Sequence, residues 1–336
     1  MRITEWFRQR LTDTESPKIE ITRADWRRTI MPGAFEDFPF EDGDALAVQL
    51  PAQAKPLPVV WGDTCVPVGA GRAIRVPAVY RFAAFKGFRI PHHLVTLTGA
   101  GPETLEPFGR AHIEKYEKYL GLFPQMRFMD LGCGIGRDAF QLLDYLRDDG
   151  SYTGIDVTRD SIVWCQKNIT PRHPRFCFHH SDAYSELYNP FGLKTSMDYR
   201  LPAADGSVDR IALASVFTHL LEDEVAHYMR EFRRVLKPGG LVYASFFLYT
   251  PEALLAAVNS GNTAWKATFE CALGDGVYGN DPLYPRGAVA YTDAAMQRML
   301  GKAGLKLVRP YLKGWWSGLH GDQAEDGQDA AILAIA

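Results

Sequence analysis

A chain of 336 residues is long enough for one large domain or a domain with an appendage, and its 46% hydrophobic and 23% charged fractions are those of an ordinary folded protein. A formal net charge of −3 provides no overall attraction for nucleic acid or an anionic membrane, and the basic pairs Arg27-Arg28 and Arg233-Arg234 read as solvated faces. Five scattered cysteines (Cys65, Cys133, Cys165, Cys177 and Cys271) contain no Cys-x-x-Cys pair, which argues against a disulfide framework or a metal cluster and for reduced, buried thiols.

The opening stretch MRITEWFRQRLTDTE is charged throughout and lacks the apolar core of a signal peptide. Prolines and glycines then punctuate short β-rich runs such as PLPVVWG, TCVPVGAG and AIRVPAVYRFAAF, which predicts an irregular, β-rich appendage over residues 1–105 and a second domain over 106–336. From Phe108 a helical stripe appears at Phe108, Ile113, Tyr116, Tyr119 and Leu120. Strand and helix signals alternate thereafter. RFMDL is a strand, Arg137 to Arg147 a helix, YTGIDV a strand, Asp160 to Asn168 a helix, and RFCFHHSDA and VDRIALASVF two further strands. Val225, Tyr228, Met229, Phe232, Val235 and Leu236 mark one face of a helix that stops at KPGG, where Pro238 cannot continue it. LVYASFFL is the fifth strand. Together with the residues after it, it forms the most apolar run, which Pro251 and Glu252 interrupt, so a strand followed by a helix is expected and no membrane span; the expected location is cytoplasmic. Thr292 caps a helix carrying Met296, Met299, Leu300 and Ala303 and ending at Gly304, and KLVRPYL and DAAILAIA close the chain as two more strands. This alternation predicts an α/β domain with a mostly parallel sheet covered on both faces. Such sheets bind ligands at the carboxyl edge, where strand order reverses.

The loops at that edge carry a pattern. Gly132, Gly134 and Gly136 follow the first strand as G-x-G-x-G, whereas the dinucleotide fingerprint puts its third glycine one position later, at Arg137 here. The turn is either a bare strand–helix connection or a ligand cradle, and Asp130 before it can receive an ammonium group or orient the turn. Asp156, about 20 residues on, ends the second strand, where an acid can accept from ribose hydroxyls. Asp182 ends the third strand, where it can accept from an exocyclic amine or merely cap a turn. Three acids after three successive strands share one edge of one sheet.

With those residues in view, the chain resembles the class I S-adenosylmethionine-dependent methyltransferases. The resemblance is carried by FMDLGCGIGRD (128–138), YTGIDVT (152–158), HSDAY (180–184), LPAADGSVDRIALASVFTHL (201–220), EFRRVLKPGGLVYASFF (231–247) and GQDAAILAI (327–335). It implies a Rossmann-like sheet of seven strands with the last antiparallel, and S-adenosyl-L-methionine as cofactor. It also implies roles: Asp130, Gly132, Cys133, Gly134 and Gly136 around the methionine part, Asp156 with Val157 around the ribose, Asp182 with Ala183 around the adenine, and Ser215 near the sulfonium. SVFTHLLEDE and YNPFG, with IPHHLVTLTGAGPETLEPFGR as a lead-in, look more narrowly like bacterial methyltransferases of small-molecule and sugar pathways.

A hydroxyl acceptor needs a base to take its proton, and His219, just past the fourth strand, is the leading candidate. His320 ranks behind it, and His92-His93 and His179-His180 come next. The inserts YSELYNPFGLKTSMDYR and NTAWKATFECALGDGVYGNDPLYPRGAVAY are rich in aromatic residues that suit sugars and flat molecules alike. Neither insert is basic or holds an NPPY-type tetrapeptide, which argues against a nucleic acid substrate. The expectation is therefore O-methylation of a small molecule or glycan. N-methylation of an amine, a scaffold that binds the cofactor without turnover, and a nicotinamide oxidoreductase are the competing readings. A homo-oligomer is left open.

Overall fold

The computed structural model describes residues 82–99, 101–259 and 267–336, together with the backbone of four short strands at 18–22, 45–49, 63–69 and 72–77. MRITEWFRQRLTDTE, Arg27-Arg28, all of PLPVVWG and the start of the second insert (262–266) lie outside the described residues. Two compact units divide the chain after Gly109.

In the first unit, β1 (Lys18–Thr22), β2 (Ala45–Gln49), β5 (Phe82–Phe85) and β6 (Phe88–Pro91) form an antiparallel sheet in the order β2-β1-β5-β6, while β3 (Asp63–Gly69) and β4 (Arg72–Pro77) pair as a hairpin. Lys86 and Gly87, both at positive φ (46° and 76°), make the two-residue turn between β5 and β6, a backbone whose twist matches that of the flanking strands. A short helix α1 (His92–Thr96) and then α2 (Leu105–Leu120) follow, and the boundary between the units falls within α2.

The second unit is built on β7 (Arg127–Leu131), α3 (Arg137–Leu142), β8 (Ser151–Asp156), α4 (Arg159–Asn168), β9 (Phe176–His180), β10 (Val208–Leu213), α5 (Glu222–Val235), β11 (Leu236–Leu248), α6 (Pro251–Asn259), α7 (Asp293–Ala303), β15 (Leu305–Leu307) and β16 (Asp329–Ile335). Seven of its strands run in the order β15-β16-β11-β10-β7-β8-β9. β16 lies antiparallel to both β11 and β15, and the others are parallel. The order reverses between β7 and β10, so the crevice lies beyond Leu131 and Leu213.

The sheet is buried on both faces, which is why its central strands read as near-continuous apolar runs. On one face Met129, Ile211, Val242, Ala244 and Leu333 pack in the main core with Val225, Met229, Phe232 of α5 and Met296, Met299, Leu300 of α7. Thr292 caps α7 by accepting from the Ala295 amide, and Gly304 closes it at φ 68°. On the other face an aromatic row crosses the strands: Tyr152 sits 6.2 Å from Phe128 and 5.3 Å from Phe176, and Tyr116 of α2 lies 5.3 Å from Phe128 and 5.5 Å from Tyr243.

Three expectations need correction. The helix expected over 137–147 ends at Leu142 and the chain continues in turns, although Leu143 and Leu146 remain buried. KPGG is not a loop between helix and strand but the bulged start of β11, and the register jumps from Val208–Leu236 to Arg210–Leu241. Of KLVRPYL (306–312) only Lys306 and Leu307 lie in a strand, β15 (Leu305–Leu307). The second insert carries strands that the sequence reading does not assign. Its β12 (Cys271–Gly274), β13 (Val277–Gly279) and β14 (Val289–Tyr291) extend the sheet to ten strands, β14 running parallel to the end of β11. Among the described residues no helix is long and apolar enough to cross a membrane.

Phe232 is fully buried between α5 and the sheet. Replacing it by Ala is expected to lower unfolding free energy by about 3–5 kcal/mol, read from the midpoint of urea denaturation. A loss below about 1 kcal/mol would show that this face does not carry the core.

Candidate functional site

The glycine turn is clamped to the neighbouring strand. The amides of Gly132 and Cys133 both donate to the Ile155 carbonyl (2.7 and 3.1 Å), and the Gly134 amide donates to Asp156 Oδ2 (2.7 Å). All three glycines sit at positive φ (84°, 52° and 85°), where a side chain is strained. A Cβ on Gly132 would collide with Val216 Cγ2, so contact with the loop after β10 also favours glycine here. Cys133 is buried, and burial pushes its thiol pKa up.

The acids behave differently from one another. Asp130 is turned into the sheet, where it accepts from the Tyr152 hydroxyl at 2.6 Å; burial, with Asp138 nearby, raises its pKa well above the carboxylate norm. Asp138, in the first turn of α3, accepts from His112 Nδ1 (3.0 Å to each oxygen) and from Tyr116 (2.9 Å). Burial opposes its charge, but His112, Arg137 and Tyr116 hold its pKa below the ordinary value. Asp156 uses both oxygens on backbone amides, Gly134 and Thr158, each at 2.7 Å, and the adjacent Val157 carbonyl accepts from His180 Nε2. Asp182 is half-buried, and its carboxylate makes no hydrogen bond or ion pair among the described residues. Ala183 beside it is buried, its carbonyl accepting from Asn189.

Beyond β10, Ser215 adopts φ 61°, a left-handed conformation uncommon outside glycine that costs on the order of 1 kcal/mol or more. A closed ring of hydrogen bonds holds it. Its amide donates to Ser245 Oγ (2.7 Å), Ser245 donates to Gln328 Oε1 (2.7 Å), and Gln328 Nε2 donates back to Ser215 Oγ (2.8 Å). Thr218 Oγ1 adds a contact at 3.2 Å. Ser245 and Gln328 carry no local motif. Ser215 and Gln328 are 113 residues apart, so only the antiparallel pairing of β16 with β11 unites them.

His219 ends a single 3-10 turn, Phe217–His219. Its Nδ1 lies 3.0 Å from the Arg286 carbonyl, and its ring meets Tyr188 edge-on at 5.6 Å. A carbonyl only accepts, so Nδ1 carries the proton of the neutral ring and Nε2 keeps the lone pair. Burial lowers the His219 pKa, the bond to Arg286 partly opposing it. The other histidines are set apart by their bonds and positions. His180 is committed to Val157, His179 lies on β9, and His320, its pKa lowered by burial and by Lys313, stands in the loop before β16. His92 and His93 belong to the first unit. Tyr188, from the first insert, was not singled out in the sequence. Nor were Tyr249 and Tyr278, whose rings stack at 4.1 Å beyond β11. Among the described residues no group of His, Cys, Asp or Glu is arranged to hold a metal ion.

The turn, a free carboxylate at Asp182 and the acid-lined carboxyl edge fit an adenosyl ligand bearing cationic groups. Residues 128–240 match the family model described as a methyltransferase domain. Over 223 residues, 60% of each chain, the protein is 26% identical to the arsenite methyltransferase of Aquipseudomonas alcaligenes. Over 130 residues, 38% of this chain and 32% of the other, it is 27% identical to the tRNA N(3)-cytidine methyltransferase METTL2 of Gallus gallus. The chain thus spans less than two thirds of either relative. A solved SAM-dependent methyltransferase from Leishmania major is similar at 13% identity and a TM-score of 0.44, covering 71% of this chain and 77% of that one. Residues 128–240 thus match a methyltransferase domain, and the carboxyl edge of the parallel sheet they contribute to is the candidate site.

Proposed function

We propose that this chain is an enzyme that moves a methyl group from S-adenosylmethionine to a hydroxyl of a small molecule or sugar. The observation that carries the reading is the state of His219: a neutral imidazole at the carboxyl edge with Nδ1 committed to a carbonyl and Nε2 left as a lone pair. The backbone of Gly132, Cys133, Gly134 and Gly136 would hold the methionine portion, with Asp130 supporting the turn. Asp156 and Val157 would hold the ribose, Asp182 and Ala183 the adenine, and Ser215 would lie beside the sulfur. When bound, the cofactor supplies an electrophilic methyl carbon, so the protein's task is to orient the acceptor and exclude water. Nε2 of His219 would accept the acceptor's proton as its oxygen attacks. Tyr188 against that ring, and the stacked Tyr249–Tyr278 pair, would give the acceptor apolar faces.

The acceptor is testable directly. Protein incubated with methyl-labelled cofactor and a panel of sugars, phenols, amines, arsenite and tRNA is expected to label a hydroxyl compound. Transfer only to arsenite, tRNA or an amine overturns the O-directed reading, and cofactor binding with no transfer at all would leave a scaffold.

For the donor site, Asp156→Ala is expected to weaken S-adenosylhomocysteine binding by about 1–3 kcal/mol in calorimetry. Unchanged affinity removes Asp156 from the site. For the base, His219→Ala is expected to lower turnover by roughly 10²–10⁴-fold while leaving cofactor affinity near wild type. The active form is deprotonated and burial lowers its pKa. The wild-type kcat/KM should therefore rise with pH and reach half its plateau below the ordinary imidazole value of about 6.5. A profile flat through this range, with a fully active His219→Ala, would rule the base out.

A further inference from the structure

The carbonyl that accepts from His219 belongs to a residue with an unusual anchorage. Arg286 lies in the 3-10 turn Pro285–Gly287 of the second insert, and its Nη1 donates to both oxygens of Glu224 (3.2 and 2.9 Å). Glu224, in the first turn of α5, is only 7% exposed. The same carboxylate accepts from Ser196 Oγ of the first insert (3.0 Å) and from the Leu221 amide (2.8 Å), two residues past His219. One buried anion therefore gathers both inserts and the end of the His219 turn. On the other side, the Tyr291 hydroxyl at the end of β14 donates to the Phe217 carbonyl at 2.8 Å and to the Leu220 carbonyl. The turn is held from two directions, and only the Arg286 side reaches the imidazole.

We propose that the Glu224–Arg286 ion pair is a positioning device for His219: by fixing the Arg286 carbonyl opposite Nδ1, it selects the tautomer whose lone pair is on Nε2. The assignment to catalysis rests on the reading of His219 as the base. The selection of the tautomer does not, since it follows from the bonds alone. A buried carboxylate with three donors, one of them a guanidinium, is costly to disturb, because removing one partner leaves an uncompensated charge. That cost makes the carbonyl a fixed acceptor rather than one that drifts with a surface loop. Glu224 and Arg286 touch no reacting atom, so both act through the ring.

The test is nitrogen NMR of the full chain labelled with ¹⁵N-histidine, with and without S-adenosylhomocysteine, at a pH where the rings are neutral. His219→Ala identifies the resonance. In the wild type the Nδ1–H form of His219 is expected to exceed the Nε2–H form by roughly tenfold, the factor that one well-made hydrogen bond confers. In Arg286→Ala the Nδ1–H form should fall below half, with the affinity for S-adenosylhomocysteine unchanged. Arg286→Lys, which retains a cation for Glu224, should restore most of the wild-type ratio, a rescue that simple loosening of the insert does not predict. If Arg286→Ala fails to fold, Glu224→Gln, which retains the shape and the acceptor for the Leu221 amide, carries the same expectation. A wild-type tautomer ratio in the folded variant overturns the proposal, as does an Nε2–H form dominating in the wild type. A His219→Ala enzyme with full turnover overturns the catalytic reading instead, and the tautomer ratios still decide whether the ion pair sets the ring.

Discussion

The carboxylate of Asp156 is the tie on which the site depends. Each of its oxygens accepts from a backbone amide, one on the glycine turn after β7 and one on the chain leaving β8. With the Gly132 and Cys133 amides on the Ile155 carbonyl, this fixes the turn against its neighbouring strand. Amide donors stabilise a partly buried carboxylate that would otherwise be costly. The turn can then be glycine-rich, with positive φ at three positions, and still have one shape.

A second constraint acts across the crevice. The chain leaving β10 must turn sharply at Ser215, in a conformation that L-residues disfavour, and the ring through Ser245 and Gln328 holds it there. Strain of this kind persists only where the surroundings over-determine it. Here they do so through β11 and β16, which bring a serine and a glutamine to the same point. The Phe217–His219 turn follows immediately, so a ring of neutral hydrogen bonds on one side and the Glu224 anion on the other bracket the histidine. The two inserts are thus part of the scaffold of the edge as well as its cover.

Much of this was legible in the sequence. The alternation of strands and helices, the face of α5 and the Thr292 and Gly304 caps of α7 follow from local periodicity and capping chemistry, which act over a few residues. The acids near the ends of β7, β8 and β9 stood out because strand ends in a parallel sheet share one edge. What failed to show had a physical reason in each case. β12 to β14 are short and interrupted by glycines, so alternation has too few residues to register. The bulge at KPGG looks like a stop because proline and glycine end helices and also begin bulged strands.

By itself the sequence determined the order of elements, the glycine turn, the acids along one edge and the kind of ligand those groups suit, since each is a property of residue type at fixed local spacing. Only the tertiary structure decided that Asp130 is tied to Tyr152, that Gln328 supports Ser215, and which nitrogen of His219 holds a proton. Those outcomes depend on pairs separated by 22, 113 and 67 residues. A hydrogen bond or a buried charge is set by which groups the fold brings within about 3 Å. Spacing along the chain carries no record of that distance until the sheet has formed.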